Sequence, residues 1–502
     1  MAIYYNKFMW RMVLLLAFSF FIRLWPILGN YFYFTIDQGR DAVFARDILQ
    51  GHIFLLGPEA GLNLHHGVFW YYILAIFYKL FGGSPYGAVF FLILLNCLAI
   101  FLAVKFLERL GKKDIAYPCG FLLSILLPFY ETSRYAFNPF LLPFLAILFI
   151  FSLCVVSEGK SLYILLAAAS LGMVIHSNVT PFVPFFITFV LFSVWFRFQK
   201  KITFGDFIGA LLIIFFFFFP HILSELSTNF SQTHGFLEAI KGQGSSLHMS
   251  TQGQFSSVLW IFYKMIGEVA FPQMPSVGVV IILIALLLFL TKKRNLPPFV
   301  FYTITLFLVS FIWFGINKGL ESWHLIYLPP ILLISFCLLW ETLSRKMVIF
   351  MIIFMAISQL LYTDFRLRDY MSDRRDGGFL HNQIAVLDWI YQKSKGKGFF
   401  LYTYVPSVYD YHYQYLVFWY GLKRFGYVPC EYSTYPGTDA SSYVPDSGDY
   451  QKPVKKCTNL RFLIMEKAVV PSLEDIWYKD ITKGTTRLDR ARIGDVEVEM
   501  RD

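Results

Sequence analysis

The chain has 502 residues, of which 57% are hydrophobic, 20% aromatic and only 15% charged, against about 25% charged in an ordinary soluble protein. A soluble fold of this composition could not keep its surface wetted, so a water-soluble enzyme, a disordered chain and a nucleic-acid-binding domain are excluded, and a polytopic membrane protein is expected. The net charge of +10 does not restore a nucleic-acid partner: residues 1–362 hold 23 Lys and Arg against 14 Asp and Glu, and this basic excess is scattered between apolar runs, where it sets membrane orientation.

A hydrocarbon core about 30 Å thick needs roughly 20 apolar residues per helix, with fewer tolerated inside a bundle. Eleven spans are predicted in chain order: 9–29, 86–107, 115–130, 139–157, 161–176, 181–196, 204–222, 276–291, 298–315, 323–341 and 347–362. The first is flanked by Lys7 and Arg11 and lacks a small-residue cleavage site, which reads as a retained signal anchor. Two further apolar, aromatic-rich stretches, 67–82 and 256–271, each carry a lysine. They read as helices lying in or dipping into the interface; if both cross, the count becomes thirteen.

With the N-terminus inside, one alternate set of short loops collects fifteen basic residues and the other, longer set collects seven. By the positive-inside rule this places the N-terminus in the cytoplasm and the C-terminal residues 363–502 outside the plasma (inner) membrane. That tail has the texture of a small soluble α/β domain. It holds turn clusters at 373–378 and 435–450 and β-like runs FFLYTYV (399–405) and RFLIME (461–466). Cys430 and Cys457 are its only cysteines. An oxidising exterior could join them, but the sequence does not bring them together.

The unusual polar residues gather in the outer loops, and ionisable groups near membrane depth tend to mark function. The first loop carries Asp37, Arg40 and Asp41 on a predicted short helix, then His65 and His66. Spacing i, i+4 puts the two aspartates on one helical face. Paired carboxylates suit general acid or base work; the competing reading is a solvated face with Asp37 paired to Arg40. The second loop holds Arg134 ahead of Asn138–Pro139. That arginine either forks onto phosphate oxygens or snorkels at the interface. His176 ends a span, Glu225 follows another, and Glu321 and His324 lie three apart before LIYLPP. Each has a plain alternative, as an interfacial histidine, a water-facing acid and a helix cap.

In this order the motifs resemble those of the GT-C superfamily of membrane glycosyltransferases, in the branch of bacterial relatives of protein O-mannosyltransferases and of the lipid A aminoarabinose transferase. The correspondence runs to about residue 362 through DQGRDAVFARDILQG, HHGVFWYY, SRYAFNP, VIHSN, PHILSELS and ESWHLIYLPP. Val68 stands where many relatives have proline. The resemblance implies an all-α membrane bundle of about eleven to thirteen helices (residues 1–362) with a small extracytoplasmic α/β domain (363–502). It implies transfer of a sugar from a polyprenyl-phosphate carrier to an acceptor hydroxyl on a lipid, glycan or protein. Asp37 matches the base, with Asp41 beside it. Arg134 is the first candidate for the donor phosphate, and His66, His176, His324, Glu225, Glu321, Arg40 and Asn138 are further contacts to sugar or phosphate. Membrane lipid is the surrounding partner; no nucleic acid, cofactor or metal ion is expected. A transporter or flippase of a lipid-linked sugar is the alternative, but the repeats such folds usually show are not visible in the sequence.

Overall fold

The computed structural model describes residues 2–61, 64–240, 255–293, 295–317, 321–372, 374–405, 410–437, 455–467 and 471–502. Helix α1 (Ala2–Leu24) passes into a 3-10 turn at Trp25–Asn30. The first long loop then folds as α2 (Ile36–Leu49), a hairpin of β1 (Leu56–Gly61) and β2 (Leu64–Gly67), and α3 (Phe69–Leu80). The bundle continues through α4 (Tyr86–Arg109), α5 (Lys113–Ile125), the single turn α6 (Leu127–Tyr130), α7 (Leu142–Ser157) and α8 (Tyr163–Ser177). Next come α9 (Val179–Phe198), α10 (Phe204–Ser227), α11 (Ser231–Ile240) and α12 (Phe255–Ala270). The last bundle helices are α13 (Pro275–Lys292), α14 (Pro298–Asn317), α15 (Leu328–Leu339) and α16 (Arg345–Ser372).

All eleven predicted spans are helical. Among the described residues, nine helices are long and apolar enough to cross a membrane, and a tenth forms if the pair Lys113–Ile125 and Leu127–Ser133, bent by 65°, is one span. The eleventh, α8, has only 15 residues, about 22 Å of helix at 1.5 Å per residue. It stops where Asn178 takes over as the N-cap of α9, accepting from Thr180 N, so two helices meet at His176–Asn178. Helix α3, with 12 residues, is too short to span. Along α10 and α13 the outward residues Leu212, Phe216, Leu283 and Leu287 are exposed; in water this would be a liability, and in a bilayer it is the lipid face. Helix α16 does not stop at 362 but runs on to Ser372.

Beyond α16 the chain forms α17 (Leu380–Ser394), β3 (Gly398–Tyr404), α18 (Tyr411–Leu416), a π turn, and α19 (Leu422–Phe425). Then follow β4 (Glu431–Ser433), β5 (Cys457–Met465), α20 (Pro471–Thr482), β6 (Arg487–Ile493) and β7 (Val496–Arg501). The five strands lie in the order β4-β3-β5-β7-β6; β3 is parallel to β4 and β5, and β7 is antiparallel to β5 and β6. Period-2 alternation splits the strands. Leu401, Phe462 and Ile464 join the core shared with the bundle, while Tyr402, Tyr404, Leu463 and Met465 pack with Trp477 and Ile481 of α20. The runs FFLYTYV and RFLIME are thus β3 and β5. The turn cluster at 435–450 lies outside the described residues from 438 on. Cys430 and Cys457 form a disulfide, with Cα atoms 6.0 Å apart, because the strands that follow them both flank β3.

This domain sits on the first loop. Phe34 N donates to Gly378 O (2.8 Å), Leu380 N to Phe32 O (3.1 Å) and the buried Gln383 Nε2 to Phe34 O (2.9 Å). At the far end of the seam Tyr415 OH donates to Gly83 O (2.6 Å) and Trp419 Nε1 to Gly82 O (2.8 Å). Helix α18 packs along α2.

Candidate active site

Helix α2 is short and rich in charge for a buried element, with five charged residues among fourteen, so tertiary contacts rather than an apolar stripe must hold it. Its start is fixed by Gln38, whose side-chain oxygen accepts from Thr35 N (3.0 Å) and Thr35 Oγ1 (2.8 Å), satisfying an otherwise orphan donor. On one side it packs on α3, on the other on α18.

The three first-loop candidates form one cluster. Arg40 reaches Asp37 through Nη1 (3.2 Å) and Asp41 through Nη2 (3.0 Å) and Nε (3.2 Å). The other Asp41 oxygen accepts from Trp70 Nε1 (2.8 Å) on α3. The two acids therefore differ: Asp41 is buried with both oxygens engaged, whereas the Asp37 side chain is 42% exposed with one contact to Arg40. Asp37 is thus paired to Arg40, as the competing reading has it, and its carboxylate is still open to solvent.

Burial pushes the Asp41 carboxyl up to about 6, against the opposing pull of Arg40 and Trp70. The sign follows. A raised carboxyl favours the fold while protonated, so its contribution is complete below about pH 4 and lost as pH rises through about 6. The ion pair with Arg40 needs the opposite state. Turnover is expected to show an acidic limb near pH 6, measured as kcat/KM against pH. Arg40→Gln, which removes the cation, should move the limb to higher pH, and Arg40→Lys should leave it near place; a limb that stays put in Arg40→Gln would detach it from this cluster.

His66 lies nearby, within hydrogen-bond distance of Asn138, whose Nδ2 is 3.1 Å from His66 Nδ1. Burial lowers the His66 pKa to about 3, with Arg40 adding to the effect, so the ring is neutral at pH 7 and its Nδ1 accepts from the amide. His176 is close by through Gly67: a Cβ there would lie 2.6 Å from His176 Cα. His176 Nε2 donates to Phe217 O (2.9 Å) and its ring packs on Phe69, centroids 4.4 Å apart. The hairpin, α8 and the turn before α7 thus meet at His66, Asn138 and His176.

Arg134, buried, belongs to a neighbouring cavity of about 720 Å³, whose walls include Tyr33, Glu131, Lys264, Glu268 and Arg366. Tyr33 joins it to the first loop, and its hydroxyl donates to Asp376 (2.9 Å) at the start of the sheet domain.

The remaining candidates hold local structure. Glu225 accepts from the backbone N–H of Gln232 and Thr233, 3.0 Å each, at the start of α11. Glu321 N donates to His324 Nδ1 (3.3 Å) inside one turn, and the His324 ring stacks on Phe314, centroids 5.9 Å apart. Sequence reasoning did not assign Trp70, Lys264 or Arg366 to the site. Trp70 sits in HHGVFWYY, and Lys264 is the odd charge in an apolar stretch; nothing in the sequence places 264 or 366 beside 134.

The family model described as dolichyl-phosphate-mannose-protein mannosyltransferase matches residues 65–223, from the histidine hairpin to α10. No curated protein sequence matches the chain. In fold, the chain is similar to ArnT from Cupriavidus metallidurans bound to undecaprenyl phosphate, at 12% identity and a TM-score of 0.64, covering 99% of this chain and 98% of that one. The apo state of the same protein gives 12% identity and a TM-score of 0.62 over the same shares. Residues 65–223 thus carry the pattern of that mannosyltransferase family, and the chain is a multi-pass membrane protein with the fold of ArnT.

Proposed function

We propose that the chain transfers a sugar from a polyprenyl-phosphate carrier to an acceptor hydroxyl, with inversion. The observation that carries this reading is the asymmetric acid pair: Asp41 locks Arg40 in place, and Arg40 in turn steadies an accessible Asp37. In the proposed step Asp37 takes the acceptor O–H proton as the oxygen forms its bond to the anomeric carbon. The bond from that carbon to the phosphate oxygen breaks on the opposite face, and the lipid phosphate leaves with the electron pair. Arg134 stabilises the charge it carries away. His66 with Asn138, and His176, approach the sugar from the hairpin side. Glu225 and the Glu321–His324 turn act through the segments they hold. Support for the carrier comes from the similar fold of a protein whose structure holds undecaprenyl phosphate.

The test is transfer of label from a panel of radiolabelled polyprenyl-phosphate sugars to a membrane-extract acceptor by the purified chain in nanodiscs. Time- and enzyme-dependent transfer from at least one donor is expected; the absence of both transfer and donor binding by folded protein across the panel would overturn the reading.

We place the reaction on the extracytoplasmic face, with the N-terminus in the cytoplasm. Charge alternation supports this, and so does the Cys430–Cys457 disulfide, since such bonds persist in oxidising compartments. A membrane-impermeant maleimide is expected to label these two cysteines on intact cells only after an impermeant reductant is added. Labelling that requires lysis would reverse the orientation.

A further inference from the structure

Helix α12 is the predicted interfacial segment 256–271, yet the structure makes it a wall of the cavity that holds Arg134. Its buried stripe is Val258, Phe262, Met265 and Val269, spaced as an amphipathic helix requires. The Phe262 ring packs on Phe307 and Phe311 of α14, centroids 5.1 and 5.2 Å away. Beside this stripe run Trp260, Lys264 and Glu268, at i, i+4 and i+8, and all three line the cavity.

The wall is held in register. Gln359 of α16, itself buried, donates from Nε2 to Glu268 O (2.7 Å) and Val269 O (3.1 Å), and its Oε1 accepts from Leu127 N (3.4 Å). Gln273 and Ser358 add a second tie through Gln273 Nε2 to Ser358 O (2.7 Å) and Ser358 Oγ to Gln273 Oε1 (2.6 Å). One side chain thus joins α6, α12 and α16, three walls of the cavity. Groups mounted on rigid elements in this way suit recognition.

The chemistry of the lining narrows the occupant. Lys264 faces Glu268 at 3.7 Å, too long for a strong hydrogen bond. Arg134 and Arg366 bring further positive charge, and Glu131 brings a second carboxylate. The lining thus offers cations and carboxylates side by side. A phosphorylated sugar satisfies both, with phosphate oxygens on the cations and hydroxyls donating to the acids. Trp260 and Trp323, both partly exposed at the cavity, offer faces for a sugar ring. The volume, about 720 Å³, falls in the range of small-molecule sites.

We propose that the Trp260–Lys264–Glu268 stripe of α12 recognises the phosphorylated sugar head group of the donor, with Lys264 moving from Glu268 to the phosphate. This rests on the function proposed above. It adds a cationic phosphate ligand and a stacking face from a helix that the motifs do not include.

The test reads binding apart from turnover. The full chain is placed in nanodiscs and titrated with undecaprenyl phosphate, followed by native mass spectrometry. Lys264→Gln should weaken binding at least about tenfold, the loss expected when a charged hydrogen-bond partner is removed, and Lys264→Arg should restore most of it. Trp260→Ala should leave undecaprenyl phosphate affinity within twofold and raise KM for the sugar-bearing donor. Unchanged lipid-phosphate affinity in Lys264→Gln overturns the proposal. So does equal competition by excess phosphatidylglycerol, which would mark a general anionic-lipid site, and so does a KM rise confined to the acceptor. A chain that binds undecaprenyl phosphate through Lys264 but transfers no sugar would sink the proposed transfer while leaving this site standing.

Discussion

Asp37→Asn is expected to abolish transfer while the chain stays folded and keeps its affinity for undecaprenyl phosphate. The Asp37 side chain is 42% exposed and makes one contact to Arg40, and an amide oxygen can still accept from that guanidinium. The structural cost is therefore small, as for other exposed pairs. The chemical cost is large, because an amide cannot take the acceptor proton; a positioned base contributes about 10²–10⁴-fold. Asp41→Asn should behave differently. Its carboxylate is buried, accepting from Arg40 and Trp70. A neutral amide resembles the protonated form that burial favours, so the unfolding temperature near pH 7 should hold or rise, while turnover falls because Arg40 loses the carboxylate that locks it, and the acidic limb near pH 6 disappears. Measuring kcat, lipid-phosphate binding and unfolding temperature for both variants separates the roles. Full transfer by Asp37→Asn would move the base elsewhere, with Asp41 next.

Gly39→Ala is the second large effect, expected to lower kcat by about 10²-fold, the scale of a misplacement near 1 Å. Gly39 lies midway between Asp37 and Asp41. At 100° per residue, each acid projects about 200° away from it, so both point to the opposite side of α2. Gly39 itself rests on the backbone of α18: a Cβ would lie 2.5 Å from His412 Cα and 2.6 Å from the Tyr411 carbonyl carbon. Ordinary carbon contacts need about 3.5–4.0 Å, and backbone cannot swing aside as the end of a side chain can. Helix α2 must therefore shift toward α3, carrying Asp37, Arg40 and Asp41 against Trp70. Alanine is the better helix former by about 1 kcal/mol, so a loss would come from packing and not from a weakened helix. The measurement is kcat with undecaprenyl phosphate affinity alongside; affinity within twofold and a collapsed kcat is the expected split. Retention of more than half the turnover would show that the seam between α2 and α18 does not position the acids.

That seam separates what was legible early from what was not. The apolar runs and the basic alternation marked a membrane bundle, and the motifs singled out polar residues of the outer loops; the structure carries helices at each predicted span and brings Asp37, Arg40 and Asp41 into one cluster. Those features are local. Hydrophobicity over 20 residues and i, i+4 spacing are properties of a short window, and a window needs no partner to be read. The open question of Cys430 and Cys457 was of another kind: 27 residues separate them, and only the pairing of β4 and β5 on either side of β3 brings them together.

By itself, then, the sequence determined a polytopic bundle, a small α/β tail, and a first loop with paired carboxylates, because composition and period act over neighbouring residues. Only the tertiary structure decided which acid is buried and which is open, since that depends on Trp70, 29 residues beyond Asp41. It decided that Glu225 ends its reach at the start of α11 and that the tail braces α2. It also decided that Lys264 and Arg366 face the same cavity as Arg134. The cavity residues and the contacts of the tail with α2 are about a hundred or more residues apart, and nothing in a local pattern encodes a distance across the bundle; the packing of whole helices sets it.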